Sequence, residues 1–383
     1  MLKLVAVERA QSALIQLDLK KKMVLLSGPR QAGKTTLAKR LTRQYERQLY
    51  LNYDADQDRG AFIKEMWPRD TQLLVLDEIH KYKRWKNKLK GIYDTRSQDM
   101  QILVTGSARL NLLHRAGDSL AGRYYYHRLY PFSYKELRSG ARAQPEILRQ
   151  MFNLGSFPEP FLGQSETDAK RWRHQYLQQL LTQDIVQLAH VGDLSAMRLL
   201  VDLLRQRVGS PISFKALSED LHISPNTVMR YVELLEQLYV LFRVTPYHKN
   251  IARSLLKEPK IYFYDIGAVE GDDGKKFENL IALHLLKHVH FIEDTQGEQS
   301  GLYYIKDKQK HEVDFFYLQS KNDSGTMIEA KLTDTQFSDH LGYFQQRLPQ
   351  TKALQVVLNT RRALQQGAIR LEPATEFLAG LNI

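Results

Sequence analysis

The chain has 383 residues, of which 43% are hydrophobic and 26% are charged, a composition typical of a globular protein with more than one hydrophobic core. Its 55 Lys and Arg residues against 43 Asp and Glu residues give a formal charge of +12. This charge favours a polyanionic partner, either nucleic acid or an acidic membrane surface, unless it serves solubility alone. The chain contains no cysteine, which excludes disulfides and cysteine-ligated zinc.

The sequence contains no targeting or membrane-spanning signal. Its first residues lack the charged and then apolar layout of a signal peptide, and no run approaches the ~18 apolar residues that span a bilayer. We therefore expect a cytoplasmic protein with no membrane partner.

A glycine-rich segment, LLSGPRQAGKTT at residues 25–36, follows the pattern G-x-x-x-x-G-K-[ST] between an apolar strand and a helix. Backbone amides of such a loop hold phosphate oxygens at a helix N-terminus, so the pattern predicts an ATP site. Lys34 is expected to reach the β- and γ-phosphates, and the Thr35 hydroxyl is expected to bind magnesium. The residues predicted to contact the nucleotide are Gly28, Pro29, Arg30, Gln31, Ala32, Gly33, Lys34, Thr35 and Thr36.

An acidic pair follows the apolar run LLVL at residues 73–76. Ligands of open α/β sheets bind at the carboxyl ends of parallel strands, where Asp77 and Glu78 would lie. Asp77 is predicted to hold magnesium through water, and Glu78 is predicted to orient or deprotonate the attacking water.

Two further positions are candidates for catalysis. The next apolar strand ends in Thr105, Gly106 and Ser107, which could sense the γ-phosphate or simply form a turn that needs small residues. Arg123 stands at a helix-to-strand junction, on the flank of the domain, and is a candidate arginine finger for the ATP of a neighbouring subunit.

Six segments, in this order, resemble bacterial and archaeal ATPases of the AAA superfamily that carry a C-terminal domain of unknown function. They are SGPRQAGKTT, LVLDEIH, LVTGSARL, SLAGRYYYHRLYPFSYKEL, GSFPEPF and YLQQLLTQDI. The resemblance implies an AAA fold with ATPase activity, and it covers nearly the whole chain. It also implies that Arg123 is the arginine finger that acts in trans and that Ser107 is the sensor residue.

The middle of the chain is rich in helix formers. GSFPEPFLG, residues 155–163, is predicted to be a rigid turn between helices because Pro158 and Pro160 cannot continue one. The apolar stripe that follows predicts the helical lid of an AAA module, on which Arg171 and Arg173 would be solvated or would touch phosphates.

Residues 196–250 are predicted to form a winged helix-turn-helix, with Ser213 and Ser224 as N-caps of two helices. Asn226, Thr227, Arg230 and Tyr231 would lie on or near the outward face of the last helix, where a DNA-binding version would contact a groove or its phosphates. The alternative is a connector between proteins.

The C-terminal segment alternates helices and strands. Its predicted order is a helix with Glu278, a hairpin whose second strand contains Asp314, and a strand with Glu329 and Lys331. This order occurs in restriction-endonuclease-like folds, where two acids share a divalent metal, the helix acid orients a bound water and the lysine positions water or stabilises charge. The acids could instead be ordinary solvent-facing positions, and such a domain could cut nucleic acid or only bind it.

The expected fold is therefore α/β, with four domains. They are a P-loop AAA ATPase core at residues 1–140, a helical lid at 141–195, a winged helix at 196–250 and a restriction-endonuclease-like domain at 251–383. The expected function is an ATPase that uses ATP and magnesium to act on duplex, forked or four-way-junction DNA as a homo-oligomer, such as a hexameric ring. The rival prediction is a signalling switch or protein-interaction ATPase without DNA motor activity.

Overall fold

The structure is a computed structural model that describes residues 7–106, 120–185, 194–248, 258–319, 325–333 and 336–383. The chain divides into two compact units, Met1–Pro131 and Phe132–Ile383, here called unit 1 and unit 2. The predicted boundaries at residues 195 and 250 therefore both lie inside unit 2. Among the helices described, none is long and apolar enough to cross a membrane.

Unit 1 is built on a five-stranded parallel sheet with the strand order β2-β3-β4-β1-β5. Apolar side chains fill β1, β3 and β4, as expected for parallel strands that are covered on both faces. The strands are β1 Met23–Ser27, β2 Gln48–Asn52, β3 Leu73–Asp77, β4 Gln101–Thr105 and β5 Tyr124–Arg128.

Helices cover both faces of this sheet, because alternate strand residues point in opposite directions. Leu74 packs with Phe62 and Leu89 on one face, and its neighbour Leu73 packs with Leu37 on the other. The helices of unit 1 are α1 Ser12–Leu19, α2 Lys34–Thr42, α3 Asp56–Lys64 and α4 Trp85–Thr95.

The strand order places the predicted catalytic segments at one edge of the sheet. Thr105 pairs in register with Asp77 on one side and with Leu26 on the other. Since all five strands are parallel, the loop after β1, the acids after β3 and the end of β4 converge at the carboxyl edge.

Unit 2 begins with helices in the segment that was predicted to form the lid. They are α5 Tyr134–Leu137, α6 Pro145–Leu154, α7 Pro158–Gly163 and α8 Glu166–Gln179, followed by a π-helix at Leu180–Ile185. The turn predicted for residues 155–163 was wrong in part, since Pro158 begins a short helix. A proline is tolerated in the first helical turn because its missing N–H would have had no intrahelical partner.

Three helices follow in the predicted order, and two strands come after them. They are α9 Leu194–Gln206, α10 Phe214–Leu221, α11 Pro225–Gln237, β6 Leu241–Pro246 and β7 Lys260–Phe263. Both predicted N-caps are confirmed, because Ser213 Oγ accepts a hydrogen bond from the Ala216 amide and Ser224 Oγ accepts one from the Thr227 amide.

A single eight-stranded sheet, with the order β12-β13-β11-β10-β9-β8-β6-β7, unites the rest of unit 2. The predicted hairpin, the long helix with Glu278 and the strand with Glu329 are confirmed. Because β6 and β7 belong to this sheet, strands that precede and follow the predicted boundary at residue 250 lie in the same sheet. The remaining elements are α12 Asp273–Gln296, β8 Gly301–Lys306, β9 Glu312–Leu318, β10 Thr326–Lys331, α13 Asp339–Arg347, β11 Lys352–Val357, β12 Leu364–Gln366, β13 Ile369–Pro373 and α14 Ala374–Gly380.

Candidate nucleotide site and acidic cluster

The loop between β1 and α2 requires glycine at two positions. Gly28 has a φ of 144°, and a Cβ there would lie 2.1 Å from the carbonyl oxygen of Leu129. Gly33, just before α2, has a φ of 97°. Both φ values lie in the region that favours glycine. The two glycines of the sequence pattern therefore allow the loop to adopt its shape.

Lys34 is folded into this loop. Its Nζ donates to the carbonyl oxygens of Gly28 at 3.0 Å and Pro29 at 2.6 Å, and the residue is 7% exposed. Burial lowers the pKa of Lys34 to about 8, although the carboxylates of Glu78 and Asp77 oppose this shift. A phosphate group would give this ammonium an anionic partner that the two carbonyls do not supply.

Asp77, the last residue of β3, accepts hydrogen bonds from three hydroxyls. Thr35 Oγ1 donates at 2.9 Å, Tyr50 OH donates at 2.5 Å, and Thr105 Oγ1 donates to the second carboxylate oxygen. The predicted pair of Thr35 and Asp77 is therefore brought together. A hydroxyl and a carboxylate are ligands suited to magnesium, which proteins commonly hold with one or two carboxylates and substrate phosphates.

Sequence reasoning missed Tyr50. It lies on β2, an edge strand of the parallel sheet, in register with Val75 of β3. Its contact with Asp77 depends on β2 lying beside β3, and no local motif around residue 50 shows this. Burial, followed by the hydrogen bond to Asp77, raises the pKa of the Tyr50 phenol.

Glu78 follows Asp77 in a left-handed backbone conformation, with a φ of 60°. Burial raises the pKa of its carboxyl, and the ammonium groups of Lys81 and Lys34 partly offset that shift. Glu78 Oε2 lies 3.5 Å from Lys81 Nζ and 3.6 Å from His80 Nε2. The side chain predicted to act on water is thus mostly buried beside two basic groups.

Ser107, the predicted sensor, lies outside the described residues. Thr105 and Gly106 are described, and Thr105 is the one that contacts the acidic pair directly, through the hydroxyl bonded to Asp77. A hydroxyl at the end of β4 therefore belongs to the site.

Arg123 lies at the opposite edge of the sheet from the glycine-rich loop. Its carbonyl oxygen accepts a hydrogen bond from the amide of Met23, the first residue of β1. Its guanidinium donates from Nε to Asp94 Oδ1 at 2.7 Å and from Nη2 to Asp94 Oδ2 at 3.0 Å. The side chain is therefore remote from the loop of its own chain, and its action on a neighbouring subunit stays a prediction.

The acids predicted for a nuclease-like site lie near each other in unit 2, but a lysine lies among them. Lys260 Nζ is 2.8 Å from Glu312 Oε1, 3.3 Å from Glu278 Oε1 and 3.5 Å from Asp314 Oδ1. Its side chain is 1% exposed. Burial alone would lower its pKa, but the surrounding carboxylates raise it, so Lys260 is a buried cation that balances their charge.

Glu329 and Lys331 complete this acidic cluster. Lys331 Nζ lies 2.9 Å from Glu329 Oε1, and the Asp314 carboxylate accepts the amide of Ala330 at 3.0 Å. Burial and then repulsion from Asp314 raise the pKa of Glu329 to about 7, and the same two causes raise the pKa of Glu278 to about 7. Lys260 is the residue that sequence reasoning missed here, because a single lysine beginning an apolar strand has no recognisable pattern.

Metal binding by the acidic cluster stays a prediction. Across the described ranges, no three His, Cys, Asp or Glu side chains are grouped so that they could hold a metal ion. Lys260 already contacts two of the predicted site acids, Glu278 and Asp314, as well as Glu312.

The residues predicted to contact DNA are divided between two faces of α11. Asn226 and Arg230 are exposed and Thr227 is half-buried. Tyr231 is only 5% exposed, so its prediction as an outward residue was wrong. It lies three residues after the buried Val228, and this helical spacing turns it toward the core.

Three family models match the chain. Residues 20–138 match an AAA domain, residues 145–270 match a domain of unknown function (DUF8612), and residues 273–376 match a second domain of unknown function (DUF4143). With the glycine-rich loop, the acidic pair and the parallel sheet, the first match supports an AAA-type P-loop ATPase domain at residues 20–138. Such a domain implies nucleotide binding and supports ATPase activity in general.

The chain is also similar to curated proteins without a described function. Uncharacterized proteins of Mycobacterium bovis and Mycobacterium tuberculosis are each 27% identical over 321 residues, covering 82% of this chain and 71% of the relative. An uncharacterized protein of Haemophilus influenzae is 23% identical over 319 residues, covering 74% of this chain and 79% of the relative. These similarities extend beyond the ATPase domain.

Similar solved structures include a Walker-type ATPase and a RuvB variant. The Walker-type ATPase of Pyrococcus abyssi has 14% identity and a TM-score of 0.42, covering 68% of this chain and 93% of its own. A Thermotoga maritima RuvB variant has 19% identity and a TM-score of 0.31, covering 61% of this chain and 88% of its own. At these scores, neither structure identifies what the present chain binds.

Proposed function

We propose that this chain is an oligomeric ATPase that hydrolyses ATP with magnesium in order to act on DNA. The observation that carries the proposal is the convergence at one sheet edge of the buried Lys34, the paired Thr35 and Asp77, and Glu78. The net charge of +12 supports a polyanion such as DNA as the partner.

Each of these side chains has a separate role in the proposed hydrolysis. Lys34 would neutralise charge on the β- and γ-phosphates, while Thr35 and Asp77 would hold magnesium, which neutralises the same oxygens. Glu78 would orient the attacking water and accept its proton. Burial raises the pKa of this carboxyl, which makes its carboxylate a stronger base.

A neighbouring subunit would complete the site. Arg123 is paired with Asp94 on the far side of its own sheet, so it would act on the ATP of an adjacent copy. An arginine in that position stabilises charge on the transferring phosphoryl group. Assembly as a homo-oligomer, with a hexameric ring as one form, would then be required for full activity.

The DNA contact is proposed to involve α11 and the acidic cluster of unit 2. The order of α9, α10, α11 and the β6–β7 hairpin supports a winged helix, with Asn226 and Arg230 exposed on α11. Translocation, branch migration and junction remodelling are the candidate actions. Glu278, Asp314, Glu329 and Lys331 would add cleavage if they hold metal, or a grip on DNA if they do not.

A second candidate function is a switch that binds ATP, hydrolyses it slowly and contacts proteins. One observation favours it: with Tyr231 buried, Arg230 is the only Lys or Arg in α11. A groove-binding helix with one cation has few phosphate contacts to offer.

ATP hydrolysis by the full chain, measured with and without forked or four-way DNA, tests the proposal. We expect DNA to raise the rate. Glu78→Gln should retain ATP while hydrolysis falls by about 100-fold or more, and Lys34→Ala should weaken ATP binding. Glu46→Gln, an exposed acid before β2, is the matched control and should hydrolyse normally.

Two results would count against parts of the proposal. Turnover by Glu78→Gln at the wild-type rate would remove Glu78 from catalysis. A rate that no DNA structure changes, with no salt-sensitive DNA binding, would favour the switch.

A further inference from the structure

Unit 1 carries a basic segment that the nucleotide site does not use. Residues 79–93 contain no Asp or Glu, and their cations are Lys81, Lys83, Arg84, Lys86, Lys88 and Lys90. The segment begins immediately after Glu78 and continues into α4. A cluster of six cations directly after Glu78 in the chain favours the binding of an anion.

Several of these cations are exposed to solvent. Lys88 pairs with Glu65, and Lys86 lies over the Trp85 ring at 6.0 Å. Lys83, Arg84 and Lys90 are exposed, and Lys90 lies close enough to Asp94 to help Arg123 lower the pKa of that carboxyl. The side chains of Lys83, Arg84 and Lys90 are called the α4 basic surface.

The α4 basic surface comprises the exposed turn before α4 and Lys90 on the exposed side of the helix. Trp85, Leu89 and Ile92 face the core and are 4%, 0% and 2% exposed. Lys83 and Arg84 lie in the turn that leads into α4, and Lys90 lies about one and a half turns into the helix, next to the buried Leu89.

The charges of α4 are reversed from those that stabilise a helix. Its first turn has no acid, and Arg84 occupies the N-cap position, while Asp94 lies in the last turn. A helix dipole favours anions at the N-terminus and cations at the C-terminus. A bound anionic chain would relieve this unfavourable arrangement.

One lysine connects the segment to the catalytic acid. Lys81 Nζ lies 3.5 Å from Glu78 Oε2 and 2.5 Å from Asp54 Oδ2. Lys81 is two residues from Lys83, so an anion bound at the α4 basic surface would compete with Glu78 for the Lys81 ammonium. Loss of that contact would leave the Glu78 side chain free to turn toward the attacking water.

We propose that Lys83, Arg84 and Lys90 bind the phosphodiester backbone of DNA, and that the bound DNA draws Lys81 away from Glu78 and thereby raises ATP hydrolysis. This inference rests on the proposed DNA-linked function and assigns its regulation to unit 1. A membrane surface fits less well, because the apolar residues of α4 are buried and none is available for insertion.

The binding test uses labelled duplex DNA and the full chain, with fluorescence anisotropy over a range of salt concentrations. The variant combines Lys83→Gln, Arg84→Gln and Lys90→Gln. The matched control combines Lys20→Gln, Arg43→Gln and Arg69→Gln, which removes the same charge from exposed residues that precede β1, β2 and β3 at the opposite sheet edge.

We expect the surface variant to bind DNA at least tenfold more weakly at low salt. The slope of log affinity against log salt should fall by about two to three, because each lost phosphate contact removes about 0.9. The control should retain the wild-type slope except for a small effect of net charge. Equal affinities for the two triple variants would overturn the proposal.

The coupling test uses Lys81→Met. Hydrolysis without DNA should rise toward the DNA-stimulated rate, and the remaining stimulation should shrink. An unchanged ratio of stimulated to unstimulated rate would overturn the coupling. If Lys81→Met is poorly folded, Asp54→Asn serves instead, and it should change the ratio because Asp54 shares the Lys81 ammonium.

The outcomes separate this inference from the function on which it rests. A wild-type chain that binds no DNA would defeat the proposed function itself. A wild-type chain that is stimulated by DNA, with a surface variant equal to the control, would defeat only the α4 assignment. Selective loss of binding to phosphatidylserine vesicles, with DNA binding retained, would overturn it in favour of a membrane.

Discussion

The ammonium of Lys34 lies 2.6 Å from the carbonyl oxygen of Pro29, inside the loop that would hold phosphate. Burial lowers the pKa of this lysine to about 8, below its ordinary value of 10.5. A bound phosphate would restore the higher pKa because it favours the charged form. ATP binding should therefore take up a proton at alkaline pH.

The affinity for ATP should be lower at alkaline pH than at neutral pH. Below pH 8 the free chain already holds the proton, and ATP affinity should be constant. Above pH 8 the affinity should fall, by up to about tenfold per pH unit. Isothermal titration at pH 7 and pH 9.5, in buffers of different ionisation enthalpy, measures both effects. Lys34→Arg should abolish the proton uptake, and equal wild-type affinities at the two pH values would contradict the prediction.

Tyr50 should position Asp77. The change Tyr50→Phe removes one of three hydroxyl donors to the Asp77 carboxylate, which should cost about 1–2 kcal/mol of unfolding free energy. ATP hydrolysis should slow and require more magnesium. Urea denaturation and magnesium titration of the rate provide the measurements.

Tyr45→Phe is a matched control, because the Tyr45 hydroxyl donates to the neutral side chain of Gln101, remote from the acidic pair. It should change stability slightly and leave the magnesium dependence as in the wild type. The same magnesium dependence for both variants would show that Tyr50 has no positioning role.

The residues that the sequence predicts correctly belong to short patterns. The loop from Gly28 to Thr35 and the N-caps Ser213 and Ser224 each depend on spacings of a few residues, which a local pattern contains. The acidic pair is predictable because a buried strand precedes it. Parallel pairing then brings Asp77 to Thr105 and to the loop.

The missed residues depend on which distant elements become neighbours. Tyr50 reaches Asp77 only because β2 lies beside β3, and Lys260 reaches Glu312 across unit 2. Arg173, predicted to be solvated or to touch phosphates, instead forms a mostly buried ion pair with Asp265. No local spacing connects residues 92 positions apart.

Arg123 should be needed by a neighbouring subunit. Arg123→Ala should lower hydrolysis by about 1,000-fold, the scale of an arginine finger. Mixing Arg123→Ala subunits with Lys34→Ala subunits should restore part of the activity, since an intact loop can meet an intact arginine across an interface. The ATPase rate of mixed and unmixed preparations is the measurement.

Arg47→Ala is the control for this experiment, because Arg47 is also an exposed arginine paired with an acid, Asp70. It should hydrolyse at the wild-type rate in every mixture. A mixture of the two inactive variants that assembles and stays inactive would contradict action in trans.

Lys260 should hold the acidic cluster of unit 2 together. Lys260→Met leaves Glu278, Glu312 and Asp314 without their shared cation, and breaking a buried ion pair costs about 3–5 kcal/mol. Glu278 already has a pKa raised to about 7 by burial and by Asp314, and loss of Lys260 should raise it further. The protonated form is then favoured in the folded chain, so the variant should regain stability as pH falls from 8 to 5. Calorimetric unfolding at the two pH values measures this change in stability.

Lys306→Met is the control, since Lys306 also binds Glu312, at 2.8 Å, but is 36% exposed. Its loss should cost less than about 1 kcal/mol at either pH. Equal effects of the two substitutions would mean that Lys260 carries no special part of the charge balance.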